Sequence, residues 1–338
     1  MSQQIIVTGG AGYIGSHTVV ELIGAGYEPI VIDDFRNSKN WILDRIEEIT
    51  EKKVLFYAID CSDEKAVLEV FNKHADALGV IHFAAYKAVG ESVQKPTMYY
   101  QNNIGSMAAV LNAMEKTSMQ RLVFSSSCTV YGQPQQPEVT EETLIQNASS
   151  PYGDTKITCE KMIQFVHKSQ TPIKATLLRY FNPIGAHESG KIGELPNGVP
   201  NNLVPFITQT AIGIREQLVV NGNDYSTPDG TNIRDYIHVV DLAKAHVKAI
   251  EWLVKQNKSC CEPINLGTGQ GHSVLEIIDT FETVNGLLLN YKIGPRRAGD
   301  VEQIFANADK AKKILKWKCK YTLADALKHS WNWQQKNK

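Results

Sequence analysis

The chain has 338 residues, of which 43% are hydrophobic, and its formal net charge is -1. That length accommodates about two domains with a substantial core, and the near-zero charge gives no electrostatic basis for binding nucleic acid or a membrane surface. The one local basic cluster, Pro295-Arg296-Arg297, is too short for a nucleic-acid groove and suits one small anionic ligand.

The cysteines and the first residues indicate the cellular compartment. The six cysteines, at positions 61, 128, 159, 260, 261 and 319, form no Cys-x-x-Cys pair and no zinc-type spacing with histidine. We therefore expect no metal site and reduced thiols, as in a cytoplasmic protein. The early apolar run Ile5-Ile6-Val7 has strand length and no charged leader, which disfavours a signal peptide. No stretch reaches the roughly 18 apolar residues of a membrane span.

From residue 4 onward, short apolar runs alternate with amphipathic segments. This alternation predicts parallel strands joined by crossover helices. The predicted fold class is α/β, with a Rossmann-type doubly wound parallel sheet. Its predicted strands are residues 4–8, 29–33, 54–59, 80–84, 121–125 and 174–179.

The alternation weakens between residues 182 and 205, where Gly, Pro and Asn mark a loop or crossover. Shorter apolar runs follow at 218–220 and 263–266, interleaved with predicted helices at about 240–255, 273–284 and 322–333. We predict a nucleotide-binding domain over 1–181 and a smaller mixed α/β C-terminal domain over 182–338 that mainly binds substrate. A segment at about 234–265 is expected to return to the first domain.

A glycine-rich turn follows the first predicted strand and opens the first predicted helix. It combines Gly10-x-Gly12-x-x-Gly15 with the overlapping Gly9-x-x-Gly12-x-x-Gly15 spacing. Glycines here let the N-terminus of the helix approach a pyrophosphate, and an acidic residue about 20 positions on, Asp33, favours NAD over NADP. An ordinary strand-to-helix turn is the alternative.

Charged residues near the second and third predicted strands refine the cofactor assignment. Arg36 could accommodate the 2'-phosphate of NADP, but Asp33 and Asp34 would repel one, so the pattern favours NAD. Asp60 ends the third predicted strand and could accept a hydrogen bond from adenine. A helix-capping role for Asp60 or Ser62 is equally compatible with the pattern.

Tyr152 and Lys156 are four residues apart, downstream of Ser127. On a helix this spacing puts both on one face, and a nearby ammonium lowers the pKa of a phenol. Tyr152 could then accept a proton from an alcohol. Such a pair taken alone is more often a surface contact, but the order of glycine turn, serine and Tyr/Lys pair is that of a dinucleotide-dependent oxidoreductase.

The ordered blocks along nearly the whole chain resemble the extended short-chain dehydrogenase/reductase family, and within it the UDP-glucose 4-epimerases. The blocks are Gly-Gly-Ala-Gly-Tyr-Ile-Gly-Ser-His at 9–17, His-Phe-Ala-Ala at 82–85, Phe-Ser-Ser-Ser at 124–127, Ser-Pro-Tyr-Gly at 150–153, Leu-Arg-Tyr-Phe-Asn-Pro at 178–183 and Arg-Asp-Tyr-Ile-His at 234–238.

The resemblance implies a role for each matching residue. Tyr152 would be the catalytic base, Lys156 would lower its pKa and bind the nicotinamide ribose, and Ser127 would bind the substrate hydroxyl. NAD would contact Tyr152 and Lys156, and also Gly9, Gly12, Tyr13, Ile14, Gly15, Asp33, Asp34, Asn37, Ser38, Asp60, Cys61, Phe83, Ala84, Lys87, Asn102 and Phe181. The UDP-sugar would contact Ser127, Tyr152, Lys87, Tyr180, Asn182, Asn202, Leu203, Val219, Asn221, Arg234, Tyr236, Arg297, Asp300 and Ile304.

The implied activity is inversion of carbon 4 of the hexose in galactose metabolism, with tightly bound NAD. A 4,6-dehydratase of the same family is a rival, but its Asp-Glu pair after the serine segment is replaced here by Cys128, Thr129 and Val130. A non-catalytic NAD or nucleotide-sugar sensor is a rival of another class, which has no need of Ser127, Tyr152 and Lys156 together.

Three positions depart from the family pattern. Ile304 stands where tyrosine restricts the family to glucose and galactose and a smaller residue also admits N-acetyl sugars, so activity on UDP-GlcNAc and UDP-GalNAc stays open. Asn221 replaces a frequent aromatic beside uracil. Cys128 replaces a small alanine and would be an oxidation risk if partly exposed. The family also implies a homodimer through helices at about 96–116 and 152–168.

Overall fold

The computed structural model describes residues 3–169, 173–297 and 299–337. The strands are β1 Gln4–Thr8, β2 Glu28–Ile32, β3 Leu55–Tyr57, β4 Gly79–His82, β5 Arg121–Ser125, β6 Glu138–Val139, β7 Lys174–Tyr180, β8 Asn182–Ile184, β9 Leu218–Asn221, β10 Ile233–His238, β11 Cys260–Leu266, β12 Gly271–Ser273, β13 Tyr291–Gly294 and β14 Gln303–Ala306. The α-helices are α1 Tyr13–Gly24, α2 Trp41–Thr50, α3 Glu64–Lys73, α4 Val89–Gln94, α5 Pro96–Tyr99, α6 Gly105–Lys116, α7 Pro151–His167, α8 Leu203–Ala211, α9 Val239–Val254, α10 Val274–Asn285, α11 Asp309–Leu315 and α12 Leu323–Lys336.

Seven parallel strands form the central sheet, in the order β11-β7-β5-β4-β1-β2-β3. Alternate residues of each strand enter different cores: Ile5 and Val7 pack with α1 and α9, whereas Ile6 packs with α3 and α6. Helices therefore cover both faces, and the predicted doubly wound α/β sheet is confirmed. Strand order reverses between β4 and β1, so their carboxyl ends define the crevice where ligands bind in such folds.

Six of the seven strands of this sheet were predicted with bounds close to the observed ones, and the seventh, β11, contains the short apolar run noted at 263–266. The first and fifth match β1 and β5 residue for residue. The third is shorter than predicted, because β3 is an edge strand that pairs only with β2 and leaves Leu55 48% and Phe56 45% exposed.

A second region packs beside the sheet around its own core of α8, α10 and α12. Its strands form a five-stranded sheet, in which β12, β10, β14 and β6 are neighbours and β8 pairs with β10, and a two-stranded sheet of β13 and β9. The segment 182–205, predicted as a loop or crossover, therefore contains β8 and the start of α8. Of the segment expected to return to the first domain, β11 joins the central sheet, but β10 lies in the second. The domain boundary at residue 181 stays a prediction.

The helix predicted at about 96–116 is interrupted by a π-helical turn, Tyr100–Ile104, between α5 and α6. Such turns often occur at functional sites. Here the turn carries Asn102 and Asn103, and the Asn103 amide donates to the Tyr86 carbonyl at 3.1 Å and to Thr155 Oγ1 at 3.0 Å. The turn thus ties the loop after β4 to α7. In the described part of the chain, no helix is long and apolar enough to cross a membrane.

Candidate active site

Ser127, Tyr152 and Lys156 lie together at the carboxyl end of the central sheet. Ser127 follows β5 closely, as the cap of a short 3-10 turn. Helix α7 begins at Pro151, because Ser150 caps its first turn: the Ser150 hydroxyl accepts a hydrogen bond from the Gly153 N–H at 3.2 Å. Tyr152 and Lys156 are therefore placed on consecutive turns of one buried helix face.

The Lys156 ammonium is fixed by three neighbours. Its Nζ donates to the Ser125 carbonyl at 2.8 Å, and it lies 4.9 Å from the ring centroid of Phe124 and 5.9 Å from that of Tyr152. Burial lowers the pKa of Lys156 to about 8. Because this pKa is close to neutral pH, a charged group that binds next to Lys156 can change the fraction of the side chain that is protonated.

Tyr152 is 7% exposed. Burial and the neighbouring Tyr180 raise the pKa of Tyr152 well above its ordinary range, and a hydrogen bond with Ser127 lowers it only in part. The net direction is opposite to the lowering expected from Lys156, whose role as the group that lowers this pKa stays a prediction. Burial dominates, since the ammonium is directed to a backbone carbonyl rather than to the phenol oxygen.

A buried ion pair next to the serine segment was not predicted from the sequence. Arg179 on β7 and Glu160 on α7 are at most 2% exposed and pair through two hydrogen bonds, of 3.0 and 2.7 Å. Ser126, next to Ser127, donates to Glu160 at 2.6 Å. The pair therefore fixes α7 against β7 and against the serine segment. Its partners are 19 residues apart in sequence, and no local pattern reports such a contact.

The glycine turn packs tightly against neighbouring backbone at the crevice between β1 and β4. Gly9 has a φ of 69°, and a Cβ there would lie 2.8 Å from the Ala84 nitrogen. A Cβ at Gly15 would lie 2.1 Å from the Gly9 carbonyl oxygen. Helix α1 begins at Tyr13 after Gly12, and no side chain caps its first N–H groups. This cradle fits the pyrophosphate of NAD.

Asp33 organises the same turn. Its carboxylate accepts hydrogen bonds from the Ala11 N–H at 3.0 Å, the Phe35 N–H at 2.9 Å and the Ser38 hydroxyl at 3.0 Å. Burial raises the pKa of Asp33, and these hydrogen bonds oppose that rise. The carboxylate therefore holds the glycine turn against the end of β2, where it fits a ribose hydroxyl.

Arg36 is engaged by neighbours rather than free for a phosphate. Its guanidinium pairs with Asp34 and Asp60 and donates to the Tyr86 hydroxyl at 2.7 Å. With two carboxylates around one arginine, a 2'-phosphate has no uncompensated cation to bind. The arrangement fits NAD better than NADP. Asn37 beside it is exposed.

The helix-capping alternative for Asp60 and Ser62 is wrong. Helix α3 is capped by Asp63, whose side chain accepts from the Ala66 N–H at 3.1 Å. Asp60 instead accepts from the Ser62 N–H at 2.8 Å and from its hydroxyl at 2.7 Å.

The other residues predicted to contact NAD border the crevice or lie behind it. Ile14 and Phe83 are partly buried against the core of the sheet. Cys61 and Phe181 are buried, and burial raises the pKa of the Cys61 thiol far above its usual range. Asn102 is half-buried in the π turn.

Glu194, absent from the sequence-based prediction, connects two predicted ligand contacts. Its Oε1 accepts from Lys87 Nζ at 2.8 Å and from Asn202 Nδ2 at 2.7 Å. Lys87 also lies 5.8 Å from the ring centroid of Tyr13, whose hydroxyl donates to the Gly185 carbonyl at 2.6 Å. These contacts connect the nucleotide crevice to the second region. Glu194 belongs to a Gly/Pro-rich segment without periodicity, so no sequence signal identified it.

The second region carries three charged residues that were predicted to contact the UDP-sugar: Arg234, Arg297 and Asp300. Arg234 on β10 donates to the Ile233 carbonyl at 2.8 Å and has no carboxylate within ion-pair distance among the described residues. Burial lowers the pKa of Arg234. Arg297 pairs with Asp300 at 2.6 Å. Tyr236, two residues beyond Arg234, is buried, and burial raises its pKa to about 12.

The residues expected near the hexose surround a small buried cluster. Ile304 packs there with Phe181, and Cys128 borders the same cluster. Burial raises the pKa of the Cys128 thiol to about 12, so the thiol stays protonated and is a weaker oxidation target than expected. Tyr180 accepts from a serine hydroxyl at 3.3 Å, and Asn182 begins β8 beside it.

Three predicted UDP-sugar contacts lie on α8 and β9 of the second region, among them Asn221, which was expected near uracil. Leu203 begins α8, and Val219 and Asn221 alternate on the exposed face of β9. Val219 lines an open cavity of about 470 Å³ together with Phe206 and Lys292. Asn221 ends β9 at the position where the family often has an aromatic residue.

Comparison with known proteins agrees with this geometry. The sequence model of the GDP-mannose 4,6 dehydratase family matches residues 6–330. A UDP-glucose 4-epimerase of Bacillus subtilis is 50% identical over 98% of this chain and 97% of its own length. One from Dictyostelium discoideum is 48% identical over 100% of this chain and 97% of its own length. The chain belongs to the UDP-glucose 4-epimerase family.

Solved structures of the same family have the same fold. The UDP-glucose 4-epimerase of Bifidobacterium longum, crystallised with NAD+ and UDP, superposes with a TM-score of 0.95 at 46% identity, over 99% of this chain and 98% of that one. The resemblance inferred from the sequence is therefore confirmed, as is NAD as the cofactor of the family. The individual contacts assigned above stay predictions for this epimerase-family chain.

Proposed function

We propose that this chain is an NAD-dependent 4-epimerase that interconverts UDP-galactose and UDP-glucose through a transient 4-keto sugar. The observation that carries the proposal is the placement of Ser127, Tyr152 and Lys156 beside the glycine turn, at the crevice of the sheet. The full-length similarity to UDP-glucose 4-epimerases supports it.

The chain's own residues handle the proton. Tyr152 removes the proton of the 4-hydroxyl, and Ser127, its hydrogen-bond partner, orients that hydroxyl. NAD, when bound, accepts the hydride of carbon 4 and returns it to the sugar. Lys156, held by the Ser125 carbonyl, places a positive charge near Tyr152 and would bind the nicotinamide ribose of bound NAD. Because burial raises the pKa of Tyr152, the phenol depends on positive charge beside it, such as that of Lys156, to act as a base.

The nucleotide end of the substrate must stay bound while the hexose turns over. Arg234 and Arg297 supply guanidinium groups that bind a diphosphate bidentately. Arg234 is suited to this role because it has no carboxylate within ion-pair distance among the described residues and its pKa is lowered by burial. Tight binding at the diphosphate leaves the hexose free to present either face for reduction.

The serine segment does not supply the acid and base that a dehydratase requires. Cys128 has a protonated thiol whose pKa is raised by burial to about 12, and Val130 is buried and apolar. Elimination of water across carbons 5 and 6 needs charged or readily titrated groups at these positions. The epimerase is therefore favoured over the dehydratase.

Ile304 sets the proposed substrate range. It is 4% exposed and lacks the hydroxyl and the bulk of tyrosine, so the N-acetylated UDP-hexoses are proposed as additional substrates. The ratio of rates on UDP-galactose and UDP-N-acetylgalactosamine measures this. Ile304→Tyr should selectively lower the rate on UDP-N-acetylgalactosamine. An unchanged ratio of the two rates would show that Ile304 does not determine the substrate range.

We also propose that the chain is a cytoplasmic homodimer. The helices expected at the interface, at about 96–116 and 152–168, correspond to α5 with α6 and to α7. Phe165 on α7 is 74% exposed, and Val93, just before the first of these segments, is 62% exposed. Apolar side chains this exposed are typical of a surface that another chain covers. Phe165→Asp should shift the sedimentation coefficient from dimer to monomer, whereas a wild-type monomer would refute the proposal.

The activity is tested by giving the purified protein UDP-galactose without added NAD and separating the products. Conversion to UDP-glucose is expected, and Tyr152→Phe should lower kcat by about 100-fold or more. No conversion after NAD is supplied would contradict the proposal. Near-normal turnover by Tyr152→Phe would remove Tyr152 from its role as base.

A further inference from the structure

Tyr225 has a buried hydroxyl without a hydrogen-bond partner in the described part of the chain. The residue lies just beyond β9 and is 6% exposed. Buried hydroxyls are nearly always paired, and an unpaired one costs free energy that a bound ligand can recover. The sequence analysis assigned no role to Tyr225.

The ring of Tyr225 is held in one position. The Arg296 guanidinium lies 4.1 Å from its centroid, and Arg296 is itself paired with Asp224 at 2.7 Å. Gly222 packs against both groups, since a Cβ there would lie 2.8 Å from the Tyr225 ring and 2.8 Å from the Arg296 side chain. The ring is therefore held by contacts with a glycine and a cation, which restrict the direction of its hydroxyl.

Tyr225 lies next to the segment assigned to the diphosphate, because Arg296 packs on its ring and the next residue, Arg297, pairs with Asp300. Asp300 raises the pKa of Tyr225 further than burial alone, and Arg296 and Arg234 lower it, with a net rise. The phenol therefore stays protonated and is available as a donor. Arg234 donates only to backbone carbonyls among the described residues. A donor beside such a cation matches an anionic acceptor.

We infer that the Tyr225 hydroxyl donates a hydrogen bond to a diphosphate oxygen of the UDP-sugar, alongside Arg234. The inference rests on the proposed function, because it takes a nucleoside diphosphate as the ligand of this cleft. It adds a specificity-determining contact that separates nucleoside diphosphates from nucleosides.

The test compares the affinities of UDP and uridine for the wild type and for Tyr225→Phe. UDP binding is measured by titration calorimetry and uridine binding by displacement of UDP. Tyr225→Phe keeps the ring on which Arg296 packs, so folding should be preserved. It should weaken UDP by about tenfold, the size expected for a hydrogen bond to a charged group, and leave uridine unchanged. In turnover, KM should rise while kcat stays close to the wild-type value.

Tyr291→Phe is the matched control, because Tyr291 is 39% exposed on β13. It should change neither affinity. Equal weakening of UDP and uridine, or unchanged UDP affinity, would overturn the role of Tyr225 while leaving the epimerase proposal intact. A wild-type chain that does not bind UDP at all would overturn both.

Discussion

The buried pair of Glu160 and Arg179 allows the most quantitative prediction. The pair is nearly solvent-free, with side chains 1% and 3% exposed, and it is joined by two hydrogen bonds. Glu160 also accepts from Ser126 at 2.6 Å, and Arg179 donates to the Tyr131 hydroxyl at 3.2 Å. Proximity to Glu160 raises the pKa of Arg179 although burial alone would lower it, so Arg179 stays charged.

Glu160→Gln removes the negative charge and leaves a buried guanidinium uncompensated. Breaking one partner of such a pair costs about 3–5 kcal/mol. A typical domain has only about 5–15 kcal/mol of stability, so a large part would be lost. Urea unfolding followed by circular dichroism measures this free energy. The double variant Glu160→Leu/Arg179→Met removes both charges and should be more stable than Glu160→Gln.

An exposed ion pair provides the control. Glu251 pairs with Lys248 at 2.8 Å, with side chains 25% and 46% exposed. Glu251→Gln should cost less than about 1 kcal/mol. If Glu160→Gln were as mild as Glu251→Gln, the ion pair would not be what holds α7 against the sheet.

Three further predictions concern the nucleotide turn and the titrating groups. Gly15→Ala should abolish retention of NAD through purification, because its Cβ would lie 2.1 Å from a carbonyl oxygen, whereas Gly24→Ala in the same helix meets nothing within 4 Å and should retain NAD. The Lys156 side chain, observed by NMR of labelled lysine and assigned with Lys156→Met, should titrate near 8 in the NAD-free protein, and a midpoint above 10 would contradict its burial. Burial lowers the pKa of His82 and His238 from 6.5 to about 3, so the unfolded chain binds more protons between these values. Each should therefore remove about 1.4 kcal/mol of stability per pH unit as the pH falls from 6.5 toward 3, which urea unfolding at several pH values measures.

The central sheet could be predicted because its strands are apolar on both faces and separated by periodic helices. β1 and β5 show this most clearly, and their predicted bounds match the structure. β10 was missed as a strand because it carries Arg234 and Asp235 in its middle. Asp235 is fully buried there, since its carboxylate accepts hydrogen bonds from Thr268, Gly269 and Ala306. Such compensation comes from distant segments and leaves no local pattern.

In the candidate site, too, the features with a local sequence pattern could be predicted and those that depend on tertiary packing could not. The glycine turn and the Tyr152/Lys156 pair are local patterns, and the structure brings both to the crevice of the sheet. The contacts of Glu194 and the ion pair of Glu160 with Arg179 depend on tertiary packing, so neither could be inferred from spacing. The raised pKa of Tyr152 could not be predicted from spacing for the same reason, because the burial that raises it is a result of tertiary packing.

The central claim is that one molecule of NAD takes the hydride from carbon 4 and returns it to carbon 4. The most direct test supplies the purified protein with UDP-galactose that carries deuterium at carbon 4, without added NAD, and locates the label in the product by NMR. The account predicts UDP-glucose that retains deuterium at carbon 4. Loss of the label to solvent, or its transfer to carbon 6 with elimination of water, would contradict it.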